Sequence, residues 1–144
     1  MIDEAAWREA RNAAAPLACV YAPALLAGCA SCTLAQRRSL AERVAVGCAS
    51  ADARDGCARF LAALRERAAF ALRLRADAPL RHAAAMKLQC GGLSGLAEAA
   101  GAGDVHALVS AALTRAHEGA EPAWPSIVAA VARWEIRPRR GRGK

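Results

Sequence analysis

Six cysteines are the residues of this 144-residue chain whose type and spacing most clearly suggest chemistry: Cys19, Cys29, Cys32, Cys48, Cys57 and Cys90. Thiolates are the soft ligands that hold zinc and iron–sulfur clusters, so all six are candidate metal ligands. Only Cys29 and Cys32 form a close pair. The spacing therefore matches neither the two close pairs of a zinc ribbon nor the tight run of a bacterial ferredoxin.

Helix geometry narrows the choice of ligands. The sequence predicts a helix from about residue 32 to residue 46, capped by Ser31, whose length of roughly 20 Å would separate Cys29 and Cys32 from Cys48. A reversal at Gly47 would bring the next helix back beside Cys48. If neighbouring helices are antiparallel, the thiols of Cys48, Cys57 and Cys90 converge. Cys19, in the segment before residue 22, could supply a fourth. The preferred ligands are Cys19, Cys48, Cys57 and Cys90, with Cys29 and Cys32 as alternates.

The expected occupant is an iron–sulfur cluster of the [4Fe–4S] type, with zinc as the alternative, because the ligands come from distant segments of the chain. Two other interpretations remain open. Cys57 lies on an apolar helix face and could be a core residue, since free cysteine behaves as a small hydrophobe. Cys29-x-x-Cys32 ahead of a helix also resembles a dithiol exchange motif, although the βαβ context of such motifs is missing.

Helical periodicity predicts the elements that position these cysteines. Asp3 caps a helix to about residue 14, and further helices are expected over about 22–27, 50–76, 79–90, 104–116 and 127–136. Gly91-Gly92 and Ser94-Gly95 are expected to form a tight, flexible connection. No segment shows the alternation of a half-buried strand. The predicted fold is therefore all-α, a single-domain bundle of five to six helices over residues 1–136.

Positive charge is concentrated at the C-terminus. Lys and Arg number 20 against 13 Asp and Glu, a net charge of +7. Five of these cations lie in the last eight residues, which leaves 15 − 13 = +2 for the remainder. We expect residues 137–144 to be a disordered basic tail that could bind nucleic acid or an acidic partner.

The N-terminal residues are charged from Asp3 onward and show no apolar signal region, which predicts a cytoplasmic protein. The run from Asn12 to Gln36 contains no charged residue. Pro16 and Pro23 interrupt it, and its alanines favour membrane insertion only weakly, so we expect no membrane span.

The predicted function is electron transfer, redox sensing or cofactor handling for a partner protein. The acidic residues are explained as caps and solvated helix faces, and no nucleophile elbow or phosphate-binding loop is present, so the chain is not expected to be an enzyme. The alternative is a basic helical interaction module, or a nucleic-acid-binding regulator, whose cysteines serve in packing.

Overall fold

The computed structural model describes residues 3–14 and 16–135. Its elements, in chain order, are α1 (Glu4–Ala14), α2 (Ala22–Leu26), β1 (Ala35–Leu40), β2 (Arg43–Cys48), α3 (Ala51–Ala68), α4 (His82–Met86), a π-helical segment (Lys87–Gly91), α5 (Gly92–Ala100), α6 (Val105–His117) and α7 (Trp124–Arg133). The basic tail, with Arg137, Arg139, Arg140, Arg142 and Lys144, lies outside the described residues.

The all-α prediction is wrong, because the segment expected to form a helix over 32–46 is a β-hairpin. β1 and β2 pair antiparallel from Ala35 opposite Cys48 to Leu40 opposite Arg43. Val44 and Val46, which favour extended backbone, lie in the second strand. The two-residue turn begins at Ala41, whose φ is +56°. The fold is therefore a mixed one, mainly helical with one two-stranded sheet.

β2 also pairs on its other side. The N–H of Cys19 donates to the carbonyl of Val46 at 2.9 Å, and the N–H of Cys48 donates to the carbonyl of Leu17 at 2.7 Å. Residues 17–19 thus act as a short third strand along the end of the hairpin. Tyr21 and Leu25 follow directly and are buried in the core. The hairpin is therefore part of the packed body of the protein.

α4, the π-helical segment and α5 form one continuous helical stretch, so the predicted flexible connection at Gly91-Gly92 and Ser94-Gly95 is wrong. The glycines there allow close packing instead. A Cβ on Gly91 would lie 2.7 Å from the Cα of Val131, and one on Gly95 would lie 2.8 Å from the Cβ of Ala130. Both neighbours belong to α7, so the missing side chains let α7 approach this stretch closely.

The remaining helices follow the sequence prediction more closely. Ser50 caps α3 and Asp104 caps α6 through their side chains. α3 ends at Ala68, earlier than expected; it packs against α6 and α7 and buries Phe60 and Leu64. No helix within the described residues is long and apolar enough to span a bilayer.

Replacing Gly91 tests the close approach of α7. We expect Gly91→Ala to destabilise the protein by about 1–3 kcal/mol, because the added methyl meets backbone atoms that cannot move independently. The matched control is Gly103→Ala, where the nearest neighbours of the new Cβ are at 3.6 Å. Urea unfolding at neutral pH measures both. Equal free energies of unfolding for the two variants would contradict this account of the helix packing.

Candidate thiol site

Four free cysteines line one small cavity at the end of the hairpin. Cys19, Cys32, Cys48 and Cys57 are all partly buried and all contribute to its wall. The cavity holds about 20 Å³, and most of its other lining residues are apolar: Val20, Leu34, Ala35, Gly47, Ala53 and Val105. Three of the four preferred ligands are therefore brought together, with Cys32 in the fourth place. We refer to these four residues as the thiol group.

The hairpin explains why Cys32 belongs to the thiol group. A helix over 32–46 would have placed Cys32 far from Cys48, whereas a hairpin returns the chain to its starting point. Ala35 lies opposite Cys48 in the ladder, and the N–H of Ala49 donates to the carbonyl of Leu34 at 2.9 Å. The segment that bears Cys32 is thereby fixed beside the end of β2.

Cys19 and Cys57 reach the same place from two other elements. Cys19 lies in the short strand formed by residues 17–19 on the other side of β2. Cys57 lies on the second turn of α3, whose first turn begins directly after the hairpin. The Nε–H of Arg54 donates to the carbonyl of Ala18 at 2.8 Å, which ties α3 to that short strand.

The start of α6 holds the Cys32 segment in place. The side chain of Asp104 accepts hydrogen bonds from both the N–H and the hydroxyl of Thr33, each at 2.7 Å. It also caps its own helix through the N–H of Ala107. The N–H of Val105 donates to the carbonyl of Ser31 at 2.9 Å. The hydrogen bond from the backbone of Thr33 is the largest cause that lowers the pKa of Asp104.

Burial keeps two of the thiols protonated. Loss of water around Cys57, reinforced by the neighbouring cysteines, raises its pKa from 9.0 to about 12. Burial also raises the pKa of Cys19, and the hydrogen bond from the backbone of Tyr21 only partly opposes this. A nucleophilic cysteine needs the opposite shift. Cys19 and Cys57 are therefore poor nucleophiles, and their thiolates require a nearby positive charge.

Tyr21 presents an unpartnered hydroxyl close to the thiol group. The residue is fully buried, and its hydroxyl oxygen has no hydrogen-bond partner among the residues that the structure describes. Burial is the largest cause that raises the pKa of the phenol, followed by the charges of Cys57 and Cys19. The hydroxyl therefore stays protonated and can donate to an acceptor that binds there. Sequence analysis did not identify Tyr21, since a lone tyrosine gives no pattern.

Cys29 and Cys90 lie elsewhere, joined to each other in a disulfide. In this state neither sulfur can act as a thiolate ligand, so Cys90 does not join Cys48 and Cys57 as the helical argument expected. The expected convergence required a helix where the hairpin lies. Both sulfurs instead line a second, larger cavity of about 830 Å³.

The side chains, as they stand, do not form a preorganised site for a single ion. Within residues 3–14 and 16–135, no three His, Cys, Asp or Glu side chains are arranged so that they could hold one metal ion. Cys48 instead donates its thiol hydrogen to the carbonyl of Ser50 at 3.2 Å. A thiolate cannot donate this bond, so ligation by Cys48 would break it.

The raised pKa of Cys57 predicts a loss of stability in alkali. The folded protein keeps this proton up to about pH 12, whereas the unfolded chain releases it near pH 9.0. Between these values the unfolded state binds fewer protons, so the free energy of unfolding of the metal-free protein falls as pH rises. The free energy of unfolding of Cys57→Ser should fall less steeply over this pH range. Urea unfolding across this range measures both, with neutral pH as the internal control, and identical pH profiles would contradict the shift.

Comparison of the chain with protein-family models, with curated proteins and with solved structures finds no match. Its function is therefore inferred from the geometry and chemistry of its own side chains.

Proposed function

We propose that Cys19, Cys32, Cys48 and Cys57 bind an iron–sulfur cluster, and that the protein uses it for electron transfer or redox sensing with a partner protein. The observation that supports this proposal is the meeting of four free thiols, from four different segments, around one largely apolar cavity. This set differs from the preferred one at a single position, where Cys32, one of the two alternates, takes the place of Cys90.

Electrostatics favour a cationic occupant. Four thiolates in a partly buried cluster repel one another and lose hydration, which is why the pKa of Cys57 rises to about 12. A bound metal supplies the missing positive charge and lowers the pKa of the thiols that ligate it. Without a metal, burial keeps Cys19 and Cys57 as neutral thiols.

A single zinc ion would need the four thiols to converge on one point. Sulfurs bound tetrahedrally to one zinc ion at about 2.3 Å lie only about 3.8 Å from each other. The described side chains do not converge on a point in this way. A cluster has its own iron and sulfide core, so its thiolates surround a larger object. The present cavity of about 20 Å³ is close to the size of one water molecule, so the wall must open to admit a cluster.

Two features suit the surroundings of a cluster. The apolar lining supplied by Val20, Leu34 and Val105 limits access of water, which is one of the factors that set a cluster's reduction potential. The unpartnered hydroxyl of Tyr21 is a donor without an acceptor, and cluster sulfurs accept such hydrogen bonds. Both features tune electron transfer and do not require a substrate to enter the cavity.

Anaerobic reconstitution tests the proposal. The full chain is treated with ferrous iron and sulfide, desalted, and analysed for iron, sulfide and absorption. We expect a broad band at about 400 nm and about four irons and four sulfides per chain. Single serine variants of the thiol group should each bind at least about ten-fold less cluster. The matched control is the double variant Cys29→Ser/Cys90→Ser, which removes two cysteines outside the group and should keep the cluster.

Three outcomes would overturn the cluster assignment. One is a folded protein that binds neither iron nor zinc. Another is a stoichiometric zinc site with no cluster, which would keep the thiol group but remove its redox function. The third is equal cluster loss in the control and in the thiol-group variants, which would show that the four cysteines are not the ligands. Circular dichroism of every variant identifies those that fail to fold.

Tyr21→Phe should have opposite effects on the two forms of the protein. In the metal-free form the change removes a buried hydroxyl without a partner, so we expect a gain of about 1 kcal/mol in the free energy of unfolding. In the cluster-bound form it removes a hydrogen-bond donor to the sulfurs, so the reduction potential should fall. Urea unfolding and redox titration measure the two effects. A potential equal to that of the wild type would contradict the assigned hydrogen bond.

A further inference from the structure

We propose that the Cys29–Cys90 disulfide is a second redox site, independent of the thiol group, that exchanges electrons with dithiols. The bond joins the turn after α2 to the π-helical segment, across 61 residues of sequence. Its ligand class is a dithiol, carried by a partner protein or by a small molecule.

The two sulfurs differ in exposure, which defines the direction of attack. Cys29 is exposed to solvent, whereas only 2% of the surface of Cys90 is accessible. Access is one of the factors that decide which sulfur of a disulfide is attacked. An incoming thiolate therefore reaches Cys29, and Cys90 is the sulfur that leaves.

The disulfide also lies in the wall of a large cavity. This cavity of about 830 Å³ is lined on one side by Gly28 and Cys29 and on the other by Met86, Cys90 and Trp134. Gly28 has a φ of +79°, and a Cβ built on it would meet nothing within 4 Å, so the space beside this residue is open. A space of this size accommodates the side chains that flank a cysteine in a partner protein.

The geometry around the disulfide does not depend on the S–S bond. Gln89 is buried next to Cys90, and its side-chain oxygen accepts from the N–H of Ala24 at 3.2 Å. Its side-chain nitrogen donates to the carbonyl of Val20 at 3.3 Å. These bonds hold the π-helical segment against α2. The two cysteines therefore remain close to each other after reduction, as a site that cycles between two states requires.

The π-helical turn is a second, independent feature. Such turns are rare and occur frequently at functional sites, where they alter the direction of a side chain within an otherwise regular helix. Here the turn spans Lys87–Gly91 and includes Cys90. An ordinary structural disulfide needs no such irregularity.

The exchange is balanced in electrons and protons. A thiolate of the dithiol attacks the Sγ of Cys29, a new S–S bond forms, and the Cys29–Cys90 bond breaks with its electron pair on the Sγ of Cys90, which then takes up a proton. The second thiol of the dithiol, as its thiolate, attacks the first sulfur of the dithiol and releases Cys29, which is also protonated. The dithiol is oxidised to a disulfide, and the protein gains two electrons and two protons.

A matched pair of variants tests the assigned roles. Cys90→Ser leaves Cys29 as the only free thiol of the pair, and Cys29→Ser leaves Cys90. With an aromatic disulfide reagent, mass spectrometry should show a mixed disulfide on Cys29 that forms at least about ten-fold faster than one on Cys90. Peptide mapping separates these positions from the thiol group. Equal rates would overturn the assignment of Cys29 as the attacked sulfur.

The wild-type chain provides a second measurement that does not depend on the folding of variants. The protein is equilibrated with graded ratios of reduced and oxidised dithiothreitol, alkylated, and mapped. We expect reversible reduction of Cys29–Cys90 in a protein whose circular dichroism stays folded. Reduction that occurs only in denaturant would show a structural disulfide and overturn the proposal. Neither result depends on whether the thiol group binds a cluster, so the two proposals fail separately.

Discussion

Pairing on both sides of β2 is the constraint on which the rest of the structure depends. The strand bonds to β1 along one edge and to residues 17–19 along the other. This pairing brings the segments that bear Cys19, Cys32 and Cys48 to one end of β2. α3, which bears Cys57, begins at the same place. Without β2, a helix over residues 32–46 would hold Cys32 roughly 20 Å from Cys48. The sheet has only two full strands, but the position of every residue in the thiol group follows from it.

Close contact between helices completes the structure around this frame. The stretch α4–α5 can lie against α7 only because Gly91 and Gly95 present no side chain there. In a chain so rich in alanine, small residues give each helix little apolar volume, and the core gains its contacts through short distances between backbones. The stacking of Phe60 on Trp124, with ring centroids 5.5 Å apart, adds a contact between two large side chains. Packing of this kind tolerates deletions of volume better than additions.

The sequence predicted the helices that have a strong apolar period and a side-chain cap, such as α6 with Asp104 and α3 with Ser50. It failed where tertiary pairing overrode local preference. Ala35–Leu40 contains good helix formers, yet it is a strand because β2 offers it a partner and the turn at Ala41 accepts a left-handed residue. Because of that single error, Cys32 was expected far from Cys48, whereas the hairpin places the two segments side by side. The expected closeness of Cys48 and Cys57 does not depend on that error, because residues adjacent to Gly47 and the start of α3 are close in either fold. Tyr21 could not be predicted, since its importance lies in a missing partner.

The Cys29–Cys90 bond has a consequence for the unfolded chain. The covalent loop that it closes contains Cys32, Cys48 and Cys57, together with the whole hairpin. Closing a loop of this length removes conformational entropy from the unfolded state, which in the chain-entropy model stabilises the native state by about 4 kcal/mol. Oxidation therefore limits how far three of the four thiols can separate when the protein opens. When the chain unfolds with this bond reduced, the same segments separate into a much larger volume, so reduction of Cys29–Cys90 lowers the free energy of unfolding of the whole protein.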